Sequence, residues 1–232
     1  MKILANLFFS LAICLVSFIT VKVQGQPLTY GNGVPVKEFD YTNIQGSPYL
    51  FDEWHIGSVA LSNGKLFDNM LLKYNIKDDD VYFKNADDSP MAFKDEVKSF
   101  TLMDDSKNIH IFRNGYASAP GITDKSYLEV IAAGKVQFLK KDSKSIIDSK
   151  EYGSAVINRR FMESVKYYLY IGFDNDSEKS KILLVKKDQR TILGALKNKE
   201  DELADYIQKN ALNLKNETDI VKLVNYYNTL IK

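Results

Sequence analysis

Gly46-Ser-Pro-Tyr-Leu-Phe-Asp-Glu-Trp54-His-Ile-Gly-Ser-Val-Ala-Leu61, followed by Ser62-Asn-Gly-Lys65 and Leu66-Phe-Asp-Asn-Met-Leu-Leu-Lys-Tyr-Asn-Ile76, decides the fold. Two apolar runs flank the Asn63-Gly64 pair. Both residues of that pair tolerate positive φ, so the stretch predicts a β-hairpin. Asp78-Asp-Asp80 then makes a polar turn into Val81-Tyr-Phe83, which extends the hairpin into an antiparallel meander. The only tryptophan, Trp54, sits in its first run.

Further strands are expected on the C-terminal side. Met91 to Phe93, Val97 to Leu102 and Ile109 to Phe112 are short apolar runs separated by Asp- and Asn-rich turns. Ser126 to Ala132 and Lys135 to Lys140 flank Ala133-Gly134 and predict another hairpin. Lys140 to Tyr152 is polar and reads as an exposed excursion. Val165 to Phe173 is a strong strand, with Tyr167, Leu169, Ile171 and Phe173 on one face and Tyr168 and Tyr170 on the other. Asp174 to Ser180 returns the chain into Lys181 to Val185.

At Asp188 the apolar period lengthens from two towards four. Asp188 is placed to cap a helix over 189–197, weakened by Gly194, and Asn198 to cap one over 199–209 with acids in its first turn. A last helix over 219–231, capped by Thr218, puts Ile220, Leu223, Val224, Tyr227 and Leu230 on one face. Strands come first and helices last. That order predicts a mainly β chain of the α+β class: an antiparallel meander sheet, rolled or sandwich-like, with C-terminal helices packed on it. The expected units are a signal peptide at 1–25, a loose N-terminal arm at 26–45, an antiparallel β domain at 46–187 and a helical segment of the same unit at 188–232. Within the arm a short strand is expected from Val34 to Phe39.

The N-terminus sets the compartment. Lys2 precedes a nearly continuous apolar run from Ile3 to Val21, and Val23-Gln-Gly25 offers a cleavage site before Gln26, the pattern of a secretory signal. The rival is an uncleaved anchor, because the run is nearly long enough to span a bilayer. Cys14, the only cysteine, lies between Ile13 and Leu15-Val16, which does not match a lipidation site. Once the signal is removed no thiol is left for catalysis or metal binding. Charges almost cancel, at a formal +1, and the only arginines are Arg113, Arg159, Arg160 and Arg190. With no basic run interleaved with aromatics, nucleic acid is excluded as the expected partner.

Asp52, Glu53, Trp54 and His55 are the candidate site residues, since paired carboxylates beside an aromatic suit carbohydrate chemistry. Their ordinary reading is an acidic strand entry with Trp54 in the core. His55 and His110, the only histidines, lie within strands whose alternation can aim them at solvent. Asp78-Asp-Asp80 and Asp87-Asp88 lack calcium-loop spacing and read as solvated turns. Tyr167, Tyr168, Tyr170, Tyr226 and Tyr227 suit either a core or an apolar pocket. No nucleophile elbow, phosphate loop, dinucleotide fingerprint or zinc motif stands in the chain. No catalytic, cofactor-binding or metal-binding residue is therefore assigned, and no cofactor is expected.

Gly46-Ser-Pro-Tyr-Leu-Phe-Asp-Glu-Trp54, Asn63-Gly-Lys65, Leu72-Lys-Tyr-Asn-Ile76 and the closing Thr218-Asp-Ile-Val-Lys-Leu-Val-Asn-Tyr-Tyr-Asn228 together resemble small exported proteins of Bacteroidetes-type bacteria. The resemblance implies an envelope location and carries over no site residue. The first expectation is an exported, non-catalytic periplasmic or envelope protein acting by binding or structure. Its partner would be an envelope protein or a small ligand, with no membrane span after signal cleavage. The alternatives are a β-sheet carrier of a small apolar ligand and an envelope glycan hydrolase using Asp52 or Glu53.

Overall fold

The computed structural model describes residues 33–36, 41–150, 157–172 and 180–231. The expected signal at 1–25, Phe173 and nearly all of the turn from Asp174 to Ser180 lie outside the described residues. The described chain is mainly β, with one large, mostly antiparallel sheet and three helices at its C-terminal end.

Strands β1 (Gly33–Pro35) and β2 (Ile44–Gln45) come from the N-terminal arm. The meander is β3 (His55–Leu61), β4 (Leu66–Asn75), β5 (Asp80–Lys84) and β6 (Pro90–Phe93). Then follow β7 (Val97–Met103), β8 (Ile109–Arg113), β9 (Leu128–Ala132), β10 (Val136–Lys150), β11 (Ile157–Ile171) and β12 (Lys181–Val185). Their order across the sheet is β1-β6-β5-β4-β3-β7-β8-β9-β10-β11-β12, with β2 added in parallel to β11.

The predicted hairpin forms, though with a four-residue connection. Gly64 takes φ +83°, while Asn63 acts through its side chain, accepting from the Lys65 amide at 3.0 Å. Leu61 and Lys65 close the loop with a 2.9 Å backbone bond. Along β3 the strict alternation buries His55, Gly57, Val59 and Leu61. Gly57 is required there, because a Cβ would collide with the Thr101 carbonyl of β7. That close approach is the joint between the meander and the second run of strands.

One expectation is corrected. The polar run from Lys140 is the second half of β10, paired residue for residue with β11 from Val136↔Ile171 to Lys150↔Ile157. Strand β11 accordingly begins at Ile157 rather than Val165. Lys141 and Asp142 are buried in this run. Charged side chains tolerate burial when each finds an opposite charge, and these do.

Helix α1 (Gln189–Ala195) is capped as expected, the Thr191 amide donating to Asp188 Oδ1 at 2.8 Å. A 3₁₀ turn at Lys197–Lys199 displaces Asn198 from the cap of α2 (Glu200–Lys209), and its Oδ1 instead accepts from the Tyr227 hydroxyl at 2.5 Å. Helix α3 (Glu217–Leu230) has Asn216 rather than Thr218 at its N-cap position. Its Asn228 reaches the sheet, with Oδ1 accepting from the Val136 amide at 2.9 Å and Nδ2 donating to the Val136 carbonyl at 2.8 Å.

Two principal cores result. In the first, Val136, Phe138 and Leu169 of the sheet meet Ile192, Leu203, Leu223 and Val224 of the helices. The second gathers Val59, Leu72, Tyr74, Phe83, Phe100, Phe112 and Tyr127 from the meander and its neighbours. Each such buried side chain stabilises the fold by roughly 1.5–3 kcal/mol. Tyr167 and Leu169 face the helices while Tyr168 and Tyr170 belong to a smaller cluster on the opposite face, as the alternation predicts.

Candidate functional site

The four residues singled out by sequence do not form a site. Asp52 and Glu53 are exposed, immediately before β3. Trp54 is half-buried rather than core, with Lys73 Nζ 5.7 Å and Lys84 Nζ 5.4 Å from its ring centroid. His55 is only 8% exposed, its Nδ1 2.9 Å from the Met103 carbonyl and its ring against Phe51. His110 also faces inward and packs on Phe51, but the two histidines share no ligand. Among the described residues no three His, Cys, Asp or Glu side chains are grouped to hold a metal ion.

Charge is instead concentrated on the two faces of β10. On one face His110 lies between Glu129, 2.6 Å from Nδ1, and Asp104, 3.2 Å from Nε2. Lys140 stands 3.1 Å from Asp142 and 3.5 Å from Glu129. The Glu129 hydrogen bond, more than any other interaction, raises the His110 pKa above its ordinary value. Burial works against the charge on Lys140, yet Asp142 and Glu129 outweigh it and raise its pKa. On the other face Lys141 reaches Asp79 at 2.6 Å and the Tyr74 hydroxyl at 3.1 Å. There burial dominates and lowers the Lys141 pKa, with Asp79 offsetting it only in part. Burial also raises Tyr74 well above the usual phenol range.

Two clefts of about 680 Å³ each open at different places on the sheet. The first is acidic, with Asp78, Asp79, Asp80, Asp95 and Glu96 around Tyr82, Phe93 and Tyr127. Four of these five acids, all but Asp80, already have structural duties. Asp78 accepts from Asn75 at 3.1 Å and pairs with Lys77, and Asp79 holds Lys141. They are turn carboxylates, as their sequence context suggests, though more engaged than solvated ones.

The second cleft lies where the ends of β11 and β12 meet α1, the 3₁₀ turn and α3. Ile171, Gly172, Leu183, Ala195, Tyr227 and Ile231 form its walls, and Lys135, Lys181 and Lys197 stand among them. Gly194 also lines it, and a Cβ at that position would meet open space. A largely apolar concavity with a few polar groups at its margin has the character of a small-molecule site. Of the five tyrosines weighed from sequence, only Tyr227 lines it. Tyr167 bonds Glu217, Tyr168 the Pro120 carbonyl, Tyr170 packs on Tyr116 and Tyr226 stacks on Tyr206. The cleft escaped sequence reasoning because separate segments build it. Gly194, a helix-weakening residue inside a helical period, was the one local signal.

No protein-family model matches the chain, and comparisons with curated proteins and with solved structures found no significant match.

Proposed function

We propose that the protein is an exported, non-catalytic binding protein of the bacterial envelope or periplasm, and that it carries a small apolar ligand in the cleft between β11, β12 and the helices. The observation that carries this reading is the apolar lining of that cleft, at a volume within the roughly 300–1,000 Å³ of small-molecule sites. Lys141, whose pKa burial lowers, and Tyr74, whose pKa burial raises, are tied to Asp79 on the other side of β10 and do not line the cleft. Asp52 and Glu53 do not line it either, which leaves glycan hydrolysis with the least geometric support. Export is supported by the Lys2 to Gly25 pattern.

The sheet, on this proposal, is rolled around its aromatic core. Strands β4 and β8 are separated by β3 and β7, which in a flat sheet would put them roughly 14 Å apart at the usual spacing of about 4.8 Å. Yet the Tyr74 and Phe112 rings are 5.2 Å apart, centroid to centroid. Curvature of that kind lets one face bury itself without a second layer.

Native mass spectrometry of protein purified gently from envelope fractions tests the function. A bound species of lipid-like mass is expected. Repeated recovery of bare protein, or a turnover abolished by mutating a single pocket, would overturn the proposal.

A further inference from the structure

We propose that the ligand of this cleft is a single-chain fatty carboxylate, its chain against the apolar walls and its head among the lysines, an inference that rests on the carrier reading above. The argument is charge complementarity. The chain as a whole is balanced, with 31 basic and 30 acidic residues. The cleft lining departs from that balance, since Lys135, Lys181 and Lys197 line it and, among the described residues, no carboxylate does. The acidic cleft, of equal volume, has the opposite bias.

The three lysines come from different elements. Lys135 lies in the β9–β10 turn, Lys181 opens β12 opposite Ile171, and Lys197 begins the 3₁₀ turn. That all three line one cleft is therefore a property of the fold and does not reflect a local basic run. Lysine is a flexible point charge, suited to one small anionic head, whereas bidentate recognition of a phosphate favours arginine, and none lines the cleft. The Tyr227 hydroxyl is taken up by Asn198, so the ring serves as an apolar wall. About 680 Å³ suits one acyl chain better than two.

The test is a fluorescence titration of the purified protein with dansyl-labelled undecanoic acid and, separately, with its methyl ester. Saturable binding of one acid per chain is expected. The ester should bind about tenfold more weakly, the combined effect of two or three partly exposed ion pairs. Lys181→Ala with Lys197→Ala should weaken the acid by a similar factor and leave the ester unchanged. Leu183→Glu, which puts a carboxylate on the apolar wall at a side chain already part-exposed, should abolish binding of the acid and weaken that of the ester with no loss of folded signal.

Equal affinity for acid and ester would overturn the carboxylate assignment and leave the carrier reading standing. No binding of either would overturn both. Undiminished binding of the acid to Leu183→Glu would place the site elsewhere and end the proposal.

Discussion

Lys140 and Lys141 are neighbours on β10 and face opposite sides of it, where their pKa values shift in opposite directions. Lys140 has two carboxylates, Asp142 and Glu129, and holds its proton more tightly than a free lysine. Lys141 has one, Asp79, inside an aromatic surround, and holds its proton less tightly. Desolvation opposes the charge on both, but Lys141 is the more deeply buried and has the fewer partners, so burial wins there and loses at Lys140. The pH dependences therefore differ in sign. Lys140 contributes stability below the ordinary lysine value of 10.5 and loses it as pH rises through its raised value. The penalty at Lys141 is absent above 10.5 and grows as pH falls through its lowered value.

The most damaging way to probe this contrast is Asp79→Ala, which strands Lys141 in the core. We expect a loss of about 3 kcal/mol, the usual cost of breaking a buried pair, read from urea unfolding. Asp79→Ala combined with Lys141→Met should recover most of it. A single variant as stable as wild type would mean that Lys141 does not depend on Asp79. On the other face, Glu129→Gln should cost less, about 1–2 kcal/mol, because Asp142 still faces Lys140.

Cutting the tie between α3 and the sheet with Asn228→Ala should cost about 1 kcal/mol, the worth of its hydrogen bonds to Val136, and should lower the thermal midpoint.

The smallest effect belongs to His110. Its raised pKa contributes stability that is complete below the ordinary value of 6.5 and is lost as pH rises through the folded-state value. We expect a decline of up to about 1 kcal/mol across that window, absent in His110→Gln. An identical pH profile in the variant would remove His110 from the account.

How legible these features were depended on how local their causes are. The β3–β4 hairpin, the faces of Tyr167 to Ile171 and the Asp188 cap were readable because alternation and turn chemistry act within a few residues. The extension of β10 was not. Lys141 is buried by Asp79, a residue 62 positions away, and no window of sequence contains both a charge and its distant partner. Polarity was therefore mistaken for exposure. His55 was likewise placed by the Met103 carbonyl of another strand. The cleft was hidden for the same reason, as α3 and the start of β12 meet only after the sheet exists.

The joint at Gly57 also bears on how quickly the chain can fold. Apart from the very short β1 and β2, every described pairing but one connects strands adjacent in sequence, and the exception is β3 with β7. Sequential hairpins form on the microsecond scale, whereas a pairing that first closes a long loop waits on chain entropy. Hairpins on either side can assemble independently and must then meet at one seam. A side chain at Gly57 obstructs that encounter directly, which makes this glycine a candidate control point for the rate of folding as well as for the final stability.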